Sequence, residues 1–148
     1  MIFDKTLLFS DGQAITASAA STNVVDLGAT GTPYGATAAL VRDIGKGKMI
    51  PLSISVTETF NTLTSITISL QTDDNSSFSS PKTVASTGAI ALADLKAGAQ
   101  IPFPDYLPQG TDERYLRVYY TVTGTAPTTG KFTAGVVAAR QTNFVGGQ

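Results

Sequence analysis

MIPLSISVTETFNTLTSITISLQT, residues 49–72, places an apolar side chain on every second position twice over. Ile50, Leu52, Ile54 and Val56 alternate with Pro51, Ser53, Ser55 and Thr57; Ile66, Ile68 and Leu70 then alternate with Thr67, Ser69 and Gln71. A strand points successive side chains to opposite faces, so this period predicts a sheet with one buried and one wet face. The same period returns in Leu116, Val118, Tyr120 and Val122, and in Phe132, Ala134, Val136 and Ala138.

Outward from that stretch, turn chemistry and alternation divide the chain into candidate strands at 5–10, 13–17, 23–26, 38–42, 50–58, 65–72, 83–86, 100–103, 114–123 and 131–140. Gly- and Pro-rich 28–36, the GKGK turn at 45–48, the Asp/Asn/Ser run at 73–81 and the Pro-rich 102–113 read as connections. Only 91–97, with Leu92 and Leu95 three apart and Gly98 as a stop, reads as a short helix. Short connections predict antiparallel pairing, since parallel strands need long crossovers. The expectation is an all-β, antiparallel two-sheet sandwich, jelly-roll-like, with about eight main strands plus one short helix. An immunoglobulin-like order is the second choice. One domain spanning 1–148 is expected, with a flexible C-terminal tail at FVGGQ.

Composition narrows the function classes. The 148 residues include no His, Cys or Trp, only 14% charged residues, and 34 Ser and Thr. Hydroxyls therefore cover the solvent face more than ion pairs do. Ten basic and eleven acidic residues give a net charge of −1 with no basic stripe, which speaks against nucleic acid. No apolar run reaches the about 20 residues of a membrane span.

Each candidate reaction centre has a plainer account. A Ser or Thr nucleophile needs a base, and there is no His and no S-x-x-K spacing. Asp73–Asp74 and Asp112–Glu113 sit in turn-like sequence, which suits backbone capping better than paired acid catalysis. Asp73, Asp74, Asn75 and Ser77 lack the central Gly and terminal Glu of a calcium loop. Gly45-Lys46-Gly47-Lys48 leads into a strand and not a helix, so no phosphate loop forms. No catalytic residue, cofactor or metal is expected. Tyr115, Arg117 and Tyr119 share one face of the 114–123 strand, and Tyr and Arg are enriched at protein contacts. The plainer account of that face is packing under a loop or the short helix. With Tyr34 and Tyr106 on the two loops, these are the candidate interface residues.

The chain resembles the capsid cement (decoration) proteins of short-tailed bacteriophages. The resemblance runs through LLFSDGQAITASAASTNVVDLG (7–28), SITISLQTDDNSSF (65–78), IPFPDYLPQGTDERYLRVYYTVTGT (101–125) and GKFTAGVV (130–137). It implies a jelly-roll-like fold and a place on the outer surface of the virion, with the protein made in the host cytoplasm. Its partner would be the major capsid protein, bound by dimers that tie neighbouring subunits together. Edge strands, the 28–36 and 102–113 loops and the termini are the expected contacts. A carbohydrate-binding β-sandwich is the alternative, using a cleft lined by Tyr115, Tyr119 or Tyr34.

Overall fold

The computed structural model describes residues 2–47, 49–101 and 105–139. Eight strands form in chain order: β1 (Phe3–Ala14), β2 (Ala19–Ala20), β3 (Val25–Asp26), β4 (Leu52–Glu58), β5 (Leu63–Asp73), β6 (Lys82–Ala91), β7 (Tyr115–Gly124) and β8 (Lys131–Val137). All pairings are antiparallel. One sheet runs β1-β8-β4, and the other runs β2-β7-β5-β6 with β3 also on β7.

Residues 98–101 complete the first sheet along the free edge of β4. Gly98 N donates to Val56 O (2.8 Å), Val56 N to Ala99 O and Ile101 N to Ile54 O (both 2.9 Å). With β2 and β3 taken as halves of one broken strand and 98–101 as the sixth, the sheets read 1-8-3-6 and 2-7-4-5. That order is the pair of nested Greek keys of a jelly roll. The break between β2 and β3 has a local cause. Asn23 N donates 2.9 Å to Phe9 O, so the chain there turns from β7 toward β1 in the opposite sheet.

The alternation in 49–72 decides which face is buried. Leu52, Ile54 and Val56 from one sheet meet Ile66, Ile68 and Leu70 from the other, joined by Leu116, Val118, Tyr120, Phe132 and Ala134. At the centre the Tyr120 and Phe132 rings stack at 5.1 Å, 4° from parallel, while Phe60 tilts against Phe132 at 4.8 Å. Tyr120 lies on β7 and Phe132 on β8, so this stack joins the two sheets. Burial pushes the Tyr120 hydroxyl well above its ordinary pKa. The hydroxyl is satisfied by Ser10 Oγ at 2.8 Å, which in turn donates 2.7 Å to Gln13 Oε1. Among the described residues no buried side-chain polar atom lacks a partner.

Several elements differ from expectation. Residues 38–42 form no strand: ALVR has β-forming residues but no neighbouring ladder, and Leu40 N instead closes a loop onto Gly31 O at 2.9 Å. The helix at 91–97 contracts to one 3-10 turn, Leu92–Asp94, because Leu95 is drawn fully into the core and Gly98 enters the β4 ladder. The strands expected at 5–10 and 13–17 merge into one strand that ends at Ala14, bent by register shifts at its pairing with β8. The strand at 83–86 extends to Lys82–Ala91. On β8 the inward row ends at Val137, while Val136 is partly buried and Ala138 exposed. The expected strand ends at Phe103 and Arg140 and the C-terminal tail lie outside the described residues.

Gly130, at φ +128°, leaves its would-be Cβ position filled by the Phe60 ring. Gly130→Ala therefore combines left-handed strain with displacement of a core aromatic. It is expected to cost about 2 kcal/mol or more, read as a lowered urea midpoint with unchanged slope.

Candidate functional site

β7 sorts its residues by register. Leu116, Val118 and Tyr120 point inward, so Tyr115, Arg117 and Tyr119 fall on the outer face, each half-buried. The structure brings these three together as the sequence predicts, but it places a loop over the middle one. Residues 73–81 fold back across the face. Asp73 Oδ1 accepts from Asn75 N (2.8 Å) and Oδ2 from Ser80 N (2.9 Å). Phe78, at φ +52°, is thereby held under the Arg117 guanidinium, whose Cζ lies 4.0 Å from the ring centroid. Arg117 Nε also donates 2.8 Å to Gln71 Oε1, and its Cζ lies 5.6 Å from the Tyr119 ring. Arg117 is thus a strut between the sheet and its covering loop, and burial lowers its pKa.

The Asp73 carboxylate is committed to that loop. Its pKa is held down chiefly by the Asn75 backbone N–H bond. The acidic turn is a backbone cap, and among the described residues no group of three or more His, Cys, Asp or Glu is placed to hold a metal. Beside Tyr115, Arg114 reaches across to β3 and grips Asp26 with two bonds of 2.7 Å while its Cζ sits 4.9 Å from the Tyr115 ring.

Tyr34 and Tyr106 lie elsewhere, in a second region built from the β3–β4 connection and residues 105–111. The two segments are zipped together. Leu52 N bonds Asp105 O and Leu107 N bonds Ile50 O (both 2.9 Å), and Ile44 N bonds Thr111 O (3.1 Å). Asp43 accepts from Gly45 N and Gly110 N, each at 3.1 Å. Gly45 packs so tightly on the Pro108 backbone that no side chain fits there.

Among the described residues this region carries most of the large apolar side chains left in water. Tyr34 is fully exposed, Val41 91%, Met49 65%, Leu40 57% and Tyr106 38%. Leu40, Val41 and Met49 were not singled out from the sequence. The signal was present as a run of fifteen residues, 27–41, without one charge. The expectation of a strand at 38–42 hid it, by assigning Leu40 and Val41 to a sheet.

The strand order and the layered core make this a jelly-roll β-sandwich protein. Residues 9–136, from β1 through β8, match the model of the Bbp16 family, and the chain belongs to that family. No curated protein matches it.

Two measurements check these contacts. Arg117→Ala should free Phe78 and loosen residues 74–80, costing about 1–2 kcal/mol with faster amide exchange confined to that loop. The Arg114 bonds depress the Asp26 pKa from 3.8 to about 2. A depressed carboxylate stabilises above its unfolded pKa and loses that contribution as pH falls through the folded value. Stability should therefore decline between about pH 4 and pH 2, and Asp26→Asn should remove part of that slope in urea titrations.

Proposed function

We propose that this protein is a virion structural protein that binds the outer surface of an icosahedral phage shell and cements neighbouring major capsid protein subunits. The observation that carries this reading is that five of the seven exposed large apolar side chains among the described residues, Tyr34, Leu40, Val41, Met49 and Tyr106, lie on the β3–β4 connection and the 105–111 segment bonded to it. Large apolar side chains concentrated in water on one part of a fold point to an interaction surface. Membership of a phage-related family supplies the setting. The action is mechanical, with no bond made or broken. A homodimer would present two such regions, and bivalent attachment multiplies modest contacts through high effective concentration.

The rigid body suits the role. A cement protein must hold two subunits at fixed separation, which a two-layer core with a cross-sheet aromatic stack does. The glycan-binding alternative loses support, because Arg117 at the middle of the Tyr115–Tyr119 row is engaged by Phe78 and Gln71.

The test mixes purified protein with expanded, DNA-free shells of the phage that encodes it. Stoichiometric uptake at micromolar concentration and a raised thermal rupture temperature of the shells are expected. Absence of uptake refutes the assignment.

A further inference from the structure

The β3–β4 connection is fastened at both roots and bare between them. At one root Gly28 N donates 2.7 Å to Asp26, the carboxylate that Arg114 also grips. At the other, Asp43 holds Gly45 and Gly110. Leu27 and Ile44 pack on the core beside these anchors. From 29 to 41 every residue is exposed. No charge lies between Asp26 and Arg42. Two internal bonds, Leu40 N to Gly31 O (2.9 Å) and Ala36 N to Pro33 O (3.0 Å), close this span into a projecting loop.

We propose that this arm is the anchor of the protein, with Tyr34, Leu40 and Val41 inserting into an apolar concavity on the shell protein. The inference rests on the cement reading and names the part of the surface that does the gripping. An uncharged tip is matched by an apolar recipient, because burying it against charges would leave them without partners. A projecting loop needs a concave recipient. Among the described residues the exposed large apolar side chains outside the region, Ile2 and Val24, sit on separate segments, so those residues of a second copy form no exposed apolar patch to receive it.

The sheet edges point the same way. β1 pairs β8 with three register shifts and β6 pairs β5 with two. β2 and β3 are two residues each. Bulged or very short edges resist addition of a foreign strand. These edges favour side-chain insertion by the arm over strand addition at β1, β2, β3 or β6. Fixed roots reduce the ordering cost of that insertion.

The experiment uses the full chain and the same expanded, DNA-free shells. The triple variant Tyr34→Ala, Leu40→Ser, Val41→Ser is compared with Val24→Ser, an exposed apolar site off the arm. The expected result is a loss of shell affinity on the order of a hundredfold for the triple variant alone. Its melting temperature should be unchanged. The chain has no Cys, so Tyr34→Cys takes a single polarity-sensitive dye. Its emission should shift to the blue on shell binding. Equal shell affinity of the triple variant and the wild type, or a dye that stays in water, overturns the anchor while leaving the cement reading intact. So does loss of a dimer with shell affinity kept, which would assign the arm to a second copy. A wild type that does not bind shells overturns both.

Discussion

The Tyr120–Phe132 stack is the constraint on which the rest of this sandwich hangs. It ties the central strand of one sheet to the central strand of the other, and Phe60 wedges against it from the β4–β5 connection. A buried phenol is tolerated only with a hydrogen-bond partner. Ser10 on β1 supplies that partner, and Gln13 passes the network to Ala20 O and Thr22 N. The first strand, the broken second strand and the two central strands are thereby fixed to one buried hydroxyl. Truncating Ser10 would leave the phenol unpaired and is costlier than its small volume implies.

Around this core, acidic side chains are engaged in holding loops. Asp73, Asp26 and Asp43 each serve backbone N–H groups or an arginine and so act as clamps on loops. The ion pairs Lys82–Asp112 and Lys131–Glu58 lie at the surface, where such pairs contribute little to stability. What distinguishes the surface is apolar exposure on one connection, held in place by those same clamps.

The division of labour between the two loops over the sandwich follows from one contrast. Residues 73–81 fold back on the outer face because Phe78 finds Arg117 there. Residues 29–41 stay exposed throughout. The first is a short loop that carries an aromatic within reach of Arg117 on the sheet, whereas the second lies within the much longer β3–β4 connection.

The two-sheet, antiparallel class was legible in residues 49–72, 116–122 and 132–134, because a period of two is a local property that any half-buried strand must carry. The polar turn at 73–81 and the outward register of Tyr115, Arg117 and Tyr119 were legible for the same reason. The strand pattern makes a jelly-roll order the first choice and the resemblance also implies it, but the pairing of 98–101 with β4 and the split of β2 from β3 came only with the tertiary structure. Those pairings depend on which distant backbone groups meet. Tertiary contacts also decided that residues 38–42 would find no ladder and that Leu95 would shorten the expected helix to one turn. A short segment's sequence states its preference, but only the presence or absence of a neighbour to satisfy its backbone and bury its side chains settles whether that preference is realised.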